Sequence, residues 1–130
     1  MAKTKAHTAY KLKDGTRVKG VTTILNNLGW NKNVLVAWAR RTALAGDDPD
    51  AVLKEAGAIG TLAHYLCECD IKGVKADTED YSAEQIEKAE NAFLGYLEWK
   101  KMTKPKYEAI ELKMVSEKYK VGGTADFIAR

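Results

Sequence analysis

The sequence predicts an α+β fold in which an N-terminal hairpin and several helices precede a C-terminal β-hairpin. Apolar and polar residues alternate on both sides of Asp14-Gly15, which predicts a short β-hairpin with a type I′ turn at these two residues. Apolar residues recur at three- and four-residue spacing through the middle of the chain, which indicates amphipathic helices. Two further stretches, at 107–116 and 119–129, have the apolar content and alternation of strands.

Helical stretches are expected between the two hairpins at 24–28, 34–45, 47–55, 61–70 and 82–101. The first is expected to begin at a threonine cap, Thr22 or Thr23. In the second, Leu35 and Trp38 share one face, and Trp38 is expected to be a core aromatic. Glycines at 57 and 60 are expected to loosen the chain between the third and fourth stretches.

The longest helix has the clearest start signal in the sequence. Ser82 and Gln85 have the spacing of a capping box, in which each side chain bonds to the other residue's backbone N–H. Ile86, Ala89 and Phe93 then fall on one face, which is expected to be buried. Because no repeat or linker interrupts the chain, residues 1–130 are expected to form a single domain.

Composition excludes several classes of protein. The 130 residues are 45% hydrophobic and 30% charged, as in an ordinary globular domain. No apolar run approaches the roughly 20 residues that span a bilayer, and the N-terminus lacks the apolar stretch of a signal peptide. Cys67 and Cys69 are two residues apart on an expected helix and therefore point in different directions. They are expected to be free thiols in a reducing compartment, the cytoplasm.

Charge is distributed unevenly along the chain. Residues 1–41 carry nine Lys and Arg against one acid, and residues 100–130 carry eight against four. Residues 42–99 carry four basic residues against thirteen acids. Two basic ends around an acidic middle are compatible with a basic face for a polyanion, and equally with lysines spread over a solvated surface.

A small set of residues has the chemistry of a metal site. His64 and Glu68 are four apart on an expected helix and therefore project from the same side. Asp126 lies in an apolar stretch, where a half-buried carboxylate needs a metal ion or a basic side chain as a partner. Taken alone, His64 is more often a core histidine and Glu68 an exposed helix acid, so their combination carries the prediction.

The C-terminal hairpin is expected to bring a second acid to Asp126. Gly122-Gly123 permits a tight turn, which would place Asp126 near Glu111 across the hairpin. Glu108 lies three residues before Glu111 and is expected to face the other way. Two carboxylates and one imidazole suit Mg²⁺ or Mn²⁺.

The order of these motifs resembles the PD-(D/E)xK nuclease superfamily, in its RecB-like and phage exonuclease branch. The resemblance is carried by three patterns: Gly60-x-x-x-His64-x-x-x-Glu68, Glu111-x-x-Met114-x-Ser116, and Gly123-Thr124-Ala125-Asp126. The opening stretch YKLKDGTRVKGVTTIL is also similar to the first hairpin and helix of that branch. The similarity extends from about residue 10 to residue 130.

The resemblance implies a metal-dependent DNA phosphodiester hydrolase. His64 and Asp126 match metal-ligand positions, Glu111 and Asp126 match catalytic acids, and Glu68 matches a recurrent supporting position. The family places a further strand, with an acid-x-Lys signature, beyond the position of Asp126, and the sequence has no residue after Arg130. The fold is therefore expected to be an incomplete nuclease core, an N-terminal part that is inactive by itself.

Two alternatives remain open from the residues. The chain is compatible with a non-catalytic nucleic-acid-binding or assembly module of the same descent, or with an unrelated small α+β protein. A truncated sheet also predicts a homo-oligomer joined through the C-terminal strands, since an uncovered strand edge is a template for another chain.

Overall fold

A computed structural model describes residues 9–30 and 32–130, within which the chain forms four helices and four strands. The elements in chain order are β1 (Tyr10–Lys11), β2 (Arg17–Gly20), α1 (Val21–Asn26), α2 (Lys32–Leu44), α3 (Pro49–Lys72), α4 (Ala83–Thr103), β3 (Tyr107–Ser116) and β4 (Val121–Ala129). The predicted mixed α+β class is confirmed. The nuclease core implied by the resemblance stays a prediction.

The chain divides into two compact units, each built from separate stretches of sequence. The site unit contains residues 55–112 and 125–130, and the hairpin unit contains residues 9–54 and 113–124. Helix α3 and the β3–β4 hairpin each contribute to both units. The expectation of a single domain over 1–130 stays a prediction.

The four strands form one sheet in the order β1-β2-β4-β3. β1 and β2 are antiparallel, with Tyr10 opposite Val18. β2 runs parallel to β4 over two positions, with Lys19 opposite Val121 and Gly20 opposite Gly122. β4 therefore lies between β2 and β3 in the sheet, although β2 pairs only with its first two residues.

The N-terminal hairpin forms at the predicted place but with a different turn. The Gly15 N–H donates to the Leu12 carbonyl at 3.0 Å, so Lys13 and Asp14 are the central residues of the turn. Gly15 follows them with φ +87°, whereas Asp14 does not have a positive φ. This is the turn-plus-bulge connection, and the predicted type I′ turn is wrong because only one residue is left-handed.

The C-terminal turn also differs from the prediction. Residues 117–120 make the turn, and Lys120 ends it with φ +50°. Gly122 and Gly123 lie inside β4 instead. At Gly122 an added Cβ would collide with the ring of Tyr10, so this glycine allows a close approach between the strand and an aromatic side chain.

The central helices are longer than the sequence predicted. The expected break at Gly57 and Gly60 is wrong, since α3 is continuous from Pro49 to Lys72. Each glycine costs a helix about 1 kcal/mol relative to Ala, which the rest of a helix of this length can offset. At the start of α4, both hydrogen bonds of the predicted capping box between Ser82 and Gln85 are present.

Helix α2 is less buried than its apolar pattern predicted. Trp38 is half-buried, but Leu35 is 57% exposed and no residue of the helix is fully buried. α1 likewise begins earlier than expected, directly after Gly20, and has no side-chain cap from Thr22 or Thr23.

The core of the site unit lies between α3 and α4. Leu62, Tyr65 and Cys69 recur at helical spacing on one face of α3 and are almost fully buried. Ala89 of α4 meets them with no exposed surface, which confirms the predicted buried face of that helix. His64 and Glu68 lie on the other side of α3, so one face of this helix holds the core and the other is available for a site.

No helix among the described residues is long and apolar enough to cross a bilayer.

Candidate functional site

A pocket of about 220 Å³ lies in the site unit and collects the residues that the sequence singled out. Its walls come from α3, α4, β3 and β4. The lining residues are Ala63, His64, Cys67, Glu68, Ile71, Ala92, Tyr96, Glu111, Asp126 and Phe127. All four predicted site residues, from three distant stretches of sequence, therefore border one pocket.

His64 and Asp126 form the closest contact between predicted site residues. His64 Nδ1 lies 3.4 Å from Asp126 Oδ1, which is ion-pair range when the imidazole is protonated. Their side chains are 58% and 63% exposed. The expectation of a half-buried carboxylate at Asp126 is therefore wrong, because the strand turns this side chain towards solvent while its apolar neighbours pack.

Glu68 lies one helical turn beyond His64, as the four-residue spacing predicted. Its side chain is only 13% exposed and accepts a hydrogen bond from Lys72 Nζ, four residues further along α3. This hydrogen bond is the largest cause of a raised pKa for the Lys72 ammonium. Lys72 therefore remains a cation beside the acids of the pocket.

Glu111 is the acid whose protonation the pocket changes most clearly. Burial raises the pKa of its carboxyl, and the negative charges of Glu68 and Asp126 raise it further. His64 and Lys72 act in the opposite direction but do not cancel the shift. Glu111 therefore holds a proton to a higher pH than an ordinary glutamate does.

A β-bulge in β3 accounts for the unusual backbone at Glu111. Lys106 and Arg130 exchange both backbone hydrogen bonds at the base of the hairpin, at 2.8 and 3.1 Å, and Ser116 and Val121 flank the turn. Between these points β3 has one residue more than β4, as in a β-bulge. Glu111, with φ +50°, is in the left-handed conformation that marks such a residue.

Glu108 lies on the same strand but outside the pocket. Its Oε1 lies 3.0 Å from Nε of Arg130, and both side chains are well exposed. The expectation that only one of the two glutamates shares a face with the site is confirmed.

Hydrogen bonds hold one wall of the pocket in place. The Tyr96 hydroxyl donates to Asp70 Oδ2 at 2.9 Å, and Lys100 Nζ donates to the same oxygen at 2.6 Å. The Tyr107 hydroxyl lies 2.7 Å from that of Tyr96, which links β3 to α4. Burial is the largest cause of a raised pKa for the Tyr96 hydroxyl, and these hydrogen bonds raise it further. Tyr96 is therefore an uncharged part of the pocket wall.

Phe127 fixes the strand next to Asp126. Its ring meets Tyr107 edge-on, with centroids 5.4 Å apart, and tilts against Trp99 at 5.7 Å. The aromatic contacts bury the side chain that follows Asp126 in β4. They therefore set the position of the strand from which Asp126 projects.

Sequence reasoning missed Cys67 as a residue of the pocket. Cys67 and Cys69 are both free thiols, as predicted, and Cys69 is in the core. Burial raises the pKa of the Cys67 thiol, with smaller contributions from Asp70 and Asp126. The signal was available, because Cys67 and Ile71 follow His64 at helical spacing on the same face.

No family model matches this chain, and neither the curated proteins nor the solved structures contain a significant match to it. The class that the fold and the pocket define is therefore a mixed α+β protein with an acidic, histidine-containing pocket.

Proposed function

We propose that the pocket of the site unit is the divalent-cation site of a metal-dependent DNA phosphodiester hydrolase. The observation that carries this function is the convergence of His64, Glu68, Glu111 and Asp126 on one pocket. These residues are up to 62 positions apart in the sequence, so the fold brings them together. The resemblance of the same residues to the nuclease motifs gives the reaction class.

The donor set suits a hard divalent cation such as Mg²⁺ or Mn²⁺. Carboxylate oxygens are the preferred ligands of Mg²⁺, and an imidazole nitrogen makes Mn²⁺ a good alternative. The neighbouring negative charges that raise the pKa of Glu111 are the charges that a cation would neutralise. In the described ranges, no group of three or more His, Cys, Asp or Glu side chains is already gathered tightly enough to hold an ion.

Cation binding in this pocket therefore requires side chains to turn towards one another. His64 and Asp126 have the freedom to do so, because more than half of each side chain is exposed to solvent. Glu111 and Glu68 are more enclosed and would provide the fixed part of the site. We expect Asp126 and Glu111 to be the principal ligands, with His64 completing the set and Glu68 supporting them.

The chemistry assigned to these residues is hydrolysis of a phosphodiester. A bound Mg²⁺ or Mn²⁺ would supply an activated water and charge stabilisation at the phosphate. Asp126 and Glu111 would hold the ion, and with it the activated water, beside the phosphate. Tyr96 and Phe127 contribute aromatic residues to the lining of the pocket.

Calorimetric titration with Mn²⁺ tests the cation site. We expect the Asp126→Asn and Glu111→Gln variants to bind Mn²⁺ at least about 10-fold more weakly than the unmodified chain, because loss of a group that only supports a metal ligand already costs about 10- to 100-fold. Glu108→Gln is the matched control, since it removes the same charge from the same strand outside the pocket. Equal binding by all three variants and the unmodified chain would exclude the site.

Cleavage assays on linear DNA test the reaction class. We expect residues 1–130 to bind the cation without cleaving DNA by themselves, because the resemblance places the acid-x-Lys strand after the position of Asp126. Mn²⁺-dependent cleavage that disappears in His64→Ala would show that these residues suffice for hydrolysis. The alternative is a non-catalytic nucleic-acid-binding or assembly module of the same descent, and a chain that carries the acid-x-Lys strand and still does not cleave DNA would support it.

We also propose self-association through the C-terminal strands. β2 ends at Gly20, so its pairing with β4 stops at Gly122. In the described part of the sheet, no residue of β2 continues along β4 towards Ile128, which leaves backbone groups for another copy. Light scattering should therefore give a mass above the monomer's 14.4 kDa at micromolar concentration. The Ile128→Lys variant should return it to a monomer, and a monomeric unmodified chain would refute the contact.

A further inference from the structure

The two compact units have opposite net charges. The hairpin unit carries eleven Lys and Arg against five Asp and Glu, whereas the described part of the site unit carries eight against thirteen. The acidic unit holds the proposed cation site, which suits a metal ion but repels a polyanion. A nucleic acid that reaches this site therefore needs a basic surface elsewhere on the chain.

Lysines of the hairpin unit gather around its two turns. The backbone N–H of Lys13, in the first turn, donates to Glu117 Oε1 in the second turn at 2.8 Å, so the two turns are neighbours. Lys113 Nζ donates to the carbonyl of Ala9 and lies 5.4 Å from the centre of the Tyr10 ring, which brings β3 to the start of β1. The exposed lysines around these contacts are Lys11, Lys13, Lys113, Lys118 and Lys120.

The two acids in this region are already engaged with the backbone. Glu117 accepts the Lys13 N–H, and Asp14 accepts the Thr16 N–H at 2.8 Å. The hydrogen bonds from Thr16 lower the pKa of Asp14. These hydrogen bonds do not remove the charge of the two carboxylates, but the five lysines outnumber them, which leaves an excess of positive charge on the surface.

An exposed aromatic ring lies among the lysines. Tyr119 is 71% exposed, and Lys118 Nζ lies 5.2 Å from the centre of its ring. Basic side chains interleaved with an exposed aromatic ring are typical of surfaces that bind nucleic-acid backbone and stack an unpaired base. Because most of its surface is exposed, Tyr119 contributes little to the packing of the hairpin unit.

We infer that the two turns of the hairpin unit form the DNA-docking surface, with lysines contacting phosphates and Tyr119 stacking on a base. The inference rests on the proposed function for its substrate class, but the surface binds DNA without a metal ion. Its contacts are electrostatic and independent of sequence. Each lysine that neutralises a phosphate releases counterions, so its loss reduces the dependence of affinity on salt.

Fluorescence anisotropy with a short labelled duplex, in buffer containing EDTA, tests the surface. The test variant combines Lys13→Gln, Lys118→Gln and Lys120→Gln. We expect it to bind about tenfold more weakly at low salt, and the slope of log affinity against log salt to become less negative by about 2 to 3.

The matched control combines Lys75→Gln, Lys101→Gln and Lys104→Gln, which are exposed lysines of the site unit. It removes the same net charge and should change the affinity less than twofold with the salt slope unaltered. Equal losses in the two triple variants would overturn the docking surface, because net charge alone would then explain binding. Unchanged binding in the test variant would overturn it as well.

The outcome is separable from that of the proposed hydrolase. Asp126→Asn should lose Mn²⁺ affinity without weakening DNA binding in EDTA, so either proposal can fail alone. For the aromatic contact, Tyr119→Ala should weaken binding of a single strand more than binding of a duplex. Equal effects on both would remove the stacking role of Tyr119.

Discussion

Two neighbouring glycines of β4 should respond in opposite ways to the same substitution. At Gly122 an added Cβ would fall on the base of the Tyr10 ring, well inside the 3.0 Å limit that real Cβ contacts respect. At Gly123 the nearest atom is Val21 Cγ2 at 3.6 Å, an ordinary contact. Neither glycine has a positive φ, so alanine fits the backbone at both positions.

The magnitudes follow from these contacts. To reach van der Waals distance, the Tyr10 ring would have to move by more than about 1 Å, and the atoms that clash lie next to the backbone of β1. Overpacking of this kind costs about 1 to 3 kcal/mol. Replacing glycine by alanine where it fits contributes about 0.4 to 1 kcal/mol of stability instead. We therefore expect Gly123→Ala to be neutral or stabilising and Gly122→Ala to be less stable by about 2 to 3 kcal/mol.

Urea unfolding followed by tryptophan fluorescence measures both variants. A double-mutant cycle with Tyr10→Ala identifies the cause, because Gly122→Ala should cost much less once the ring is gone. Tyr10→Ala also removes the 2.9 Å hydrogen bond between Tyr10 and Thr124, which the cycle subtracts. Equal midpoints for the two glycine variants, or no coupling to Tyr10, would refute the assigned packing of β1 on β4.

Two further predictions concern the site unit. Leu62→Ala should lower the free energy of unfolding by about 3 kcal/mol, because Leu62 is fully buried and its loss leaves a cavity. The control Leu94→Ala, at a position that is 56% exposed, should lower it by less than about 0.5 kcal/mol. Similar urea midpoints for the two variants would show that the core lies elsewhere. Glu111→Gln should be more stable than the unmodified chain at neutral pH. The raised pKa of Glu111 means that its favourable contribution is complete below the unfolded-state pKa of about 4.3 and is lost as pH rises through the folded pKa. The stability gain should therefore grow with pH, and a gain that is constant with pH, or equal to that of Glu108→Gln, would contradict the pKa shift.

Local signals in the sequence were sufficient for the elements that depend on neighbouring residues. The capping box at Ser82 and the bounds of β3 were predicted from nearby residues, because a cap and an alternating strand are formed by contacts within a few positions. The predicted turn at Gly122-Gly123 was wrong because the need for glycine in this part of β4 comes from a residue that is distant in the sequence. Gly122 accommodates the ring of Tyr10, which is more than 100 residues away, and the spacing of residues along the chain does not indicate that contact.

The sequence predicted residues that line the candidate site, but it did not predict the exposure of Asp126 or the backbone conformation of Glu111. The helical spacing of His64 and Glu68 placed both on one face of α3, and the structure keeps them together with Glu111 and Asp126. Exposure of Asp126 was not predictable, since its apolar neighbours in sequence suggested burial. The bulge at Glu111 was also invisible, because it depends on the number of residues in the opposite strand.

The bulge has a consequence for how this hairpin tolerates change. At the base of the hairpin, the exchange of hydrogen bonds between Lys106 and Arg130 fixes the alignment of β3 with β4. Between the bulge and the turn, the alignment of the two strands differs by one residue. Sliding one strand along the other would require the left-handed conformation of Glu111 to pass to another side chain, which few residue types adopt easily. The extra residue therefore fixes the register of the two strands. Insertions or deletions within 117–120 can be absorbed at the tip while Glu111 keeps its place in the pocket, whereas deleting one residue between Lys106 and Glu111 would turn the carboxylate away.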